Sequence, residues 1–371
     1  MANTIRRIAV NTGGGDAPGL NAVIRSIVLS ALRRGWEVLG IRTGYEGLLD
    51  TSKITQLDRN SVRGITHLGG TILGTTNRGS PFEYPVKQAN GEIALVDRSD
   101  EIIENFRRLQ IDALIAIGGD GSMLIAHRLA KMGLPMVGVP KTIDNDLSGT
   151  VVTFGFDTAV SVATEAIDRL HSTAEAHDRV FVVEVMGRYA GWIALHAGVA
   201  ATADVVLIPE IPFDIDAVCE KIMDREAHGR RFSIVVAAEG AKPIGGEMVA
   251  TAQGVGREAR LGGISRQIAA GIEEQTGKET RTVVLGHLQR GGSPTTFDRL
   301  LALRFGAAAV RMVEDERFGV MVALDPPTVL AVPLEVATER MKCVPLDSDT
   351  MLTARDLGIS FGDRVEGGEA R

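Results

Sequence analysis

The sequence predicts an α/β fold of two doubly wound domains with mostly parallel sheets, and three observations predict it. A strand, glycine turn, helix unit recurs along the chain. Glycine fills 43 of 371 positions, about 12% against a usual 7%, and these glycines fall in the turns. Aromatic residues make up 4%, so Val, Ile, Leu and Ala must build the core, as strands buried on both faces require.

The first unit opens with Ile8, Ala9 and Val10 as a short buried strand, stopped by Gly13, Gly14, Gly15 and Asp16. In the helix that follows, Ile24, Ile27, Val28, Ala31 and Leu32 recur at the 3.6-residue period, with Arg25 and Arg33 off that stripe and Gly35 as a C-terminal stop. Glu37 to Ile41 is the next strand. The same order returns at Ala113 to Ile117, then Gly118, Gly119, Asp120, Gly121 and Ser122, then a helix over Met123 to Lys131 that ends at Gly133. Further strands are predicted at Pro135–Val139, Val180–Val185, Val205–Ile208, Ser233–Ala238 and Thr282–Leu285. About eight strands mostly separated by helical lengths suit two right-handed βαβ sheets better than one, with chemistry at the strands' carboxyl ends. Residues 74–90 and 241–256 are the least regular, and the proline-bearing, acidic tail from Asp325 shows no period.

Composition narrows the function. A formal charge of -7 excludes the general basic footprint of a nucleic-acid binder but leaves local arginines free to hold small anions. The N-terminal stretch has no apolar core of a signal peptide, and no apolar run approaches a membrane span, so a soluble cytoplasmic protein with no membrane partner is expected. The two cysteines, Cys219 and Cys343, are expected as buried thiols rather than a bridge. His67, His127 and His228 belong to no constellation.

Three strand-to-helix turns carry unusual chemistry. Gly14 to Gly19 offers backbone amides at a helix N-terminus, which can cradle phosphate. Gly118 to Ser122 repeats that cradle and adds Asp120, a carboxylate able to hold Mg²⁺. Pro140 to Asp146, PKTIDND, sets Lys141 beside Asp144 and Asp146; one acid can accept a proton from an attacking hydroxyl, typically worth about 10² to 10⁴ in rate, while the other binds metal. Downstream, Arg188 and Arg290 each follow a strand's carboxyl end, where a guanidinium fork suits phosphate oxygens. His287 reads as a ligand-binding residue.

Taken together, GGGDAPGLNA from Gly13, GGDGS from Gly118, PKTIDND from Pro140, VEVMGR from Val183 and LGHLQRGGSP from Leu285 resemble the 6-phosphofructokinases over roughly residues 5–310, in the family's order. The resemblance implies two Rossmann-like domains: residues 1–155 with 289–340 as a larger domain for the phosphoryl donor, 156–288 as a smaller one for the sugar phosphate, and 341–371 as a C-terminal extension. It implies Mg²⁺-dependent transfer of the ATP γ-phosphoryl group to the 1-hydroxyl of fructose 6-phosphate, in glycolysis. Asp144 would be the base and Arg188 the cation at the transferring group, which Thr142 and Gly14 would also contact. Asp120 and Asp146 would hold Mg²⁺. Tyr45, Arg78, Gly121, Ser122 and Lys141 would join Gly14 at the donor. His287 and Arg290 would grip the sugar phosphate, with Met186, Gly187 and Glu239 on the sugar. Arg179 and Arg281 match arginines that reach a neighbouring subunit's site, implying a homodimer or homotetramer.

The resemblance departs at the donor and at the effector site. Gly121 is the glycine of ATP enzymes, where pyrophosphate enzymes carry an aspartate that repels the nucleotide's α-phosphate. Lys141, in contrast, is the residue of the pyrophosphate enzymes, and Ile125 replaces a glycine that admits adenosine. A carboxylate at the α-phosphate is a direct Coulomb penalty, so ATP is the expected donor and pyrophosphate or ADP the alternative. Arg25 and Arg59 match effector-binding arginines, but Leu29 stands one turn on, which implies altered allosteric control. An NAD kinase would share the GGDG turn without needing the two acids, and a silent metabolite sensor would be expected to lose Asp144 or Arg188.

Overall fold

The computed structural model describes residues 5–76, 80–89, 91–252 and 260–364. The elements follow in chain order as β1 (Arg7–Thr12), α1 (Leu20–Leu32), β2 (Glu37–Ile41), α2 (Glu46–Leu49), β3 (Ile54–Leu57), β4 (Tyr84–Lys87), β5 (Ile93–Val96), α3 (Ser99–Arg108), β6 (Ala113–Gly118), α4 (Asp120–Lys131) and β7 (Met136–Pro140). Then come α5 (Phe156–Ala176), β8 (Val180–Val185), α6 (Trp192–Ala200), β9 (Val205–Leu207), α7 (Ile215–Ala227), β10 (Ser233–Ala238), β11 (Ala250–Ala252), β12 (Arg260–Leu261), α8 (Ile264–Thr276) and β13 (Thr280–Val284). The chain closes with α9 (Thr296–Glu314), β14 (Val320–Asp325), β15 (Thr328–Pro333), α10 (Leu334–Glu339) and α11 (Asp349–Asp356). Two compact units result. One takes the chain up to Ile143 with Leu147–Asp157 and Arg290–Met341; the other takes Asp144–Asp146, Thr158–Gln289 and the chain from Lys342 on.

The first unit holds a seven-stranded sheet in the order β15-β14-β7-β6-β1-β2-β3. Its five inner strands run parallel, and the edge strands β3 and β15 pair antiparallel to β2 and β14. Strand side chains alternate between two cores. Ile8, Val10, Ile115 and Ile117 pack with α1 and α9 on one face, while Ala9, Leu114 and Ala116 pack with α3, α4 and α10 on the other. From β1 the chain turns to β2 on one side, then crosses back to β6 on the other. The helices that follow β1 and β6 pack on opposite faces, α1 on one and α4 on the other, and an open α/β sheet leaves a ligand crevice at such a point.

The second unit holds a wholly parallel four-stranded sheet, β13-β8-β10-β9. Every residue of β8 and β10 is buried. The apolar stripes of α7 and α8 cover one face through Val218, Ile222, Ile264, Ile268 and Ile272. The tail from Lys342 belongs to this unit: Val206 donates its N–H to the Ser360 carbonyl at 2.8 Å, and Met351 and Phe361 are fully buried. Among the described residues no helix is long and apolar enough to cross a membrane.

The structure corrects several expected boundaries. The helix expected from Met123 starts at Asp120, where an acid at the positive end of the dipole favours an early start. The strand expected at Thr282–Leu285 runs Thr280–Val284, that at Pro135–Val139 runs Met136–Pro140, and that at Val205–Ile208 ends at Leu207. The irregular 74–90 stretch contains β4, and the unassigned tail contains β15, α10 and α11. No residue of β4 or β15 is fully buried, so these ribbon and edge strands lie outside the buried-strand pattern. Cys219 is buried, but Cys343 is exposed rather than buried, and both are free thiols.

Candidate active site

In the first unit the two glycine turns meet through one serine. A Cβ on Gly13 would lie 2.5 Å from the Ser122 Oγ, and one on Gly118 would collide with the same side chain. Ser122, in the first turn of α4, thus packs between turns that any larger residue would force apart. The Gly13 N–H donates to the Ile117 carbonyl at 2.9 Å, and the Gly14 N–H donates to the Thr76 carbonyl at 3.0 Å. Gly14 adopts a left-handed φ of 77°, which a side chain would strain. The Thr75 hydroxyl donates to the Gly14 carbonyl at 2.5 Å. Tyr45 is buried and its hydroxyl donates to the Ser122 carbonyl at 3.0 Å; burial pushes its pKa up, so the phenol stays protonated.

Charge enters this unit from three sides. Lys141 is 2% exposed, and its ammonium donates to the Gly15 carbonyl. Arg290 donates to the Asp16 carbonyl at 3.0 Å, with its guanidinium 2.8 Å from where a Gly15 Cβ would sit. Asp120 stands exposed at the start of α4, and Gly121 beside it has open space where a Cβ would be. The Thr142 carbonyl accepts from the buried Thr153 hydroxyl at 2.8 Å, fixing the start of the acid-bearing loop. Ile125 packs against the α3–α4 core and Leu29 against the α1–α9 core. Arg25 donates to the Val62 carbonyl at 2.6 Å, and Arg59 is exposed. Arg78 lies outside the described residues.

In the second unit, the carboxyl ends of the neighbouring strands β8 and β10 are strapped together. The Glu239 N–H donates to the Val185 carbonyl at 2.8 Å and the Gly240 N–H to the Gly187 carbonyl at 3.1 Å. Met186, Gly187, Arg188 and Glu239 are therefore neighbours. Gly187 has φ 135°, and the half-buried Arg188 guanidinium lies 5.6 Å from the Tyr189 ring centroid. His287 is exposed on the one-turn helix Gly286–Arg290 that follows β13. Arg179 pairs with Glu279 at 2.8 Å and Arg281 pairs with the same carboxylate. The hydrogen bond from Arg179, with the charges of both arginines, holds that carboxyl below its ordinary value.

The structure places Asp144 and Asp146 in this second unit, flanking Asn145, which is 4% exposed with a left-handed φ of 52°. One residue near them escaped the sequence. Lys342 donates its ammonium to the Asn145 Oδ1 at 2.9 Å and its N–H to the Asp146 carbonyl at 2.8 Å. Burial pushes the Lys342 pKa down to about 8, against the pull of Asp146. Burial and that lysine's charge also lower the pKa of His196. Glu210, its pKa raised by burial, fixes the chain just beyond by accepting the Val344 N–H at 2.8 Å. No spacing rule links a lysine in an aperiodic tail to a loop this distant in sequence.

Known proteins resemble the chain over nearly its whole length. The family profile described as Phosphofructokinase matches residues 7–313. An ATP-dependent 6-phosphofructokinase of Chloroflexus aurantiacus is 52% identical over 365 residues, covering 98% of this chain and 100% of that protein. A pyrophosphate–fructose 6-phosphate 1-phosphotransferase of Streptomyces coelicolor is 49% identical over 360 residues, covering 96% and 100% respectively. Among solved structures, phosphofructokinase from Pichia pastoris in the T-state superposes with a TM-score of 0.78 at 30% identity, over 96% of this chain and 36% of that one.

Proposed function

We propose that this chain, which belongs to the phosphofructokinase family, transfers the γ-phosphoryl group of ATP to the 1-hydroxyl of fructose 6-phosphate, giving fructose 1,6-bisphosphate and ADP as a step of cytoplasmic glycolysis. The observation that carries this reading is the first sheet's order. Glycine turns end the adjacent strands β1 and β6, and the PKTIDND loop ends β7, the next strand along. Three motifs thus follow the carboxyl ends of neighbouring strands of one sheet, where α/β sheets bind ligands, which supports this reading.

In this reading the Asp144 carboxylate takes the proton of the sugar's 1-hydroxyl as that oxygen attacks the γ-phosphorus. The bond from phosphorus to the bridging oxygen breaks and its electron pair leaves with ADP. Charge spread over the transferring oxygens is met by Arg188 and by the Thr142 hydroxyl, with the Gly14 turn against the same group. Tyr45, Gly121, Ser122, Lys141 and Arg78 line the donor. Arg290 and His287 hold the 6-phosphate, with Met186, Gly187 and Glu239 on the sugar, and Arg179 and Arg281 serve a neighbouring subunit's site in a homodimer or homotetramer. Asp120 and Asp146 fit Mg²⁺, which takes one or two carboxylates and completes its shell from substrate phosphates and water. When bound, the ion neutralises charge on the donor's phosphates.

Overall likeness does not choose the donor, because relatives with either donor's name match at about the same identity. Gly121 supports a nucleotide: it leaves open, uncharged space at the start of α4. Ile125 weighs little against it, since its side chain packs against the core. Lys141 keeps pyrophosphate as the second reading. The test is purified enzyme with fructose 6-phosphate and Mg²⁺, comparing ATP, ADP and pyrophosphate by bisphosphate formed. Turnover with ATP alone is expected; turnover with pyrophosphate instead reassigns the donor. Asp144→Asn should lower kcat by at least about 10²-fold, and a near-wild-type rate would remove Asp144 from the proton transfer.

A further inference from the structure

The tail residue Lys342 is tied down at four points. Its N–H donates to the Asp146 carbonyl at 2.8 Å, and its carbonyl accepts the Trp192 indole N–H at 2.9 Å. Its ammonium donates to the Asn145 Oδ1 at 2.9 Å and lies 5.4 Å from the Trp192 ring centroid, within cation–π range. What it grips is a conformationally unusual residue. A non-glycine residue with positive φ is disfavoured and persists where its surroundings over-determine it. Asn145 is such a residue, buried, with one acid on each side. Its backbone turn sets the directions in which Asp144 and Asp146 leave the chain.

We propose that Lys342 is a positioning residue for the phosphoryl transfer: its two-point clamp on Asn145 and Asp146 holds the acid loop so that Asp144 meets the sugar hydroxyl. The inference rests on the proposed function above, since it presumes Asp144 to be the proton acceptor. It gives the C-terminal segment a part in catalysis that does not require touching substrate. Near-attack geometry tolerates little error, and a displacement of about 1 Å can cost about 10²-fold in rate. The sugar phosphate is held by other residues in that reading, so the clamp should act on kcat and leave the KM for fructose 6-phosphate alone.

The experiment compares full-length enzyme carrying Lys342→Met, which keeps an unbranched side chain without the charge or the donor, with Lys342→Arg, which restores a donor. Steady-state kinetics with fructose 6-phosphate, ATP and Mg²⁺ is paired with amide hydrogen exchange of the free enzyme. Lys342→Met is expected to lower kcat by about 10- to 100-fold with the KM for fructose 6-phosphate within about twofold, and to speed exchange in the peptide spanning 141–147. Lys342→Arg should recover most of both. Wild-type kcat and unchanged loop exchange in Lys342→Met would overturn the proposal, as would faster exchange throughout the second unit with no recovery by arginine. Failure of the underlying reading is separable. It would show as Asp144→Asn keeping its rate, or as no bisphosphate from the wild type, while the exchange measurement still reports whether the clamp orders the loop.

Discussion

At the scale of single residues, glycines in the same motifs do different jobs. Gly13 and Gly118 exist to let Ser122 in, because a Cβ at either would collide with its side chain. Gly121 has nothing within 4 Å of where a Cβ would sit, and an acid in the first turn of a helix is favourable for the helix. Gly121→Asp should therefore leave thermal stability unchanged or slightly raised. Its effect should be electrostatic: a carboxylate close to the α-phosphate of a nucleotide repels it. ATP turnover is expected to fall to background while the melting temperature holds, measured on the same preparation. An unchanged ATP rate would show that the donor's α-phosphate does not lie near Gly121.

Among the elements, α8 depends on a single buried acid from the strand next to its own sheet partner. Glu184 is 2% exposed, and its carboxylate accepts the N–H of Gly263 at 3.1 Å, the N–H of Ser265 at 3.0 Å and the Ser265 hydroxyl at 2.8 Å. These are the orphan donors that begin a helix, satisfied by a charge at the positive end of its dipole. Glu184→Ala strands them in a dry environment and should cost about 2–4 kcal/mol in urea unfolding followed by a probe in the second unit; a loss under about 0.5 kcal/mol would mean water replaces the cap. Glu184 lies inside VEVMGR, one of the stretches that carried the family resemblance, yet its work here is architectural. Legibility divides along the same line. β2, β8 and β10 sit where the sequence puts them, because a strand buried on both faces reads as a nearly continuous apolar run, broken in β8 only by Glu184. The β4–β5 ribbon, β15 and α11 were not legible, since half-exposed elements take their conformation from partners the local pattern does not record. The glycine turns and acids were legible as short motifs, whereas Lys342 meets Asn145 across 197 residues, a contact that tertiary packing alone creates.

For the whole molecule, the decisive question is whether one chain suffices for one site. Arg179 and Arg281 both pair with Glu279 within the chain, and half of the Arg281 side chain remains exposed, at 51%. Exposed ion pairs contribute little to stability, so these arginines are cheap to recruit for an anion elsewhere. If they serve a neighbouring subunit, a site draws Asp144 from one chain and Arg281 from another, and two impaired variants can complement. Arg281→Ala alone should raise the KM for fructose 6-phosphate, and Asp144→Asn alone should abolish turnover. Chains of the two variants, mixed and reassembled at random in equal amounts, form sites of which about a quarter pair an intact Asp144 with an intact Arg281, as a closed symmetric oligomer requires. At a substrate concentration too low to saturate Arg281→Ala, the mixture should then exceed the average of its parents and approach about a quarter of the wild-type rate. A rate equal to that average would confine each site to a single chain, and Arg179 and Arg281 would revert to ion-pair partners of Glu279.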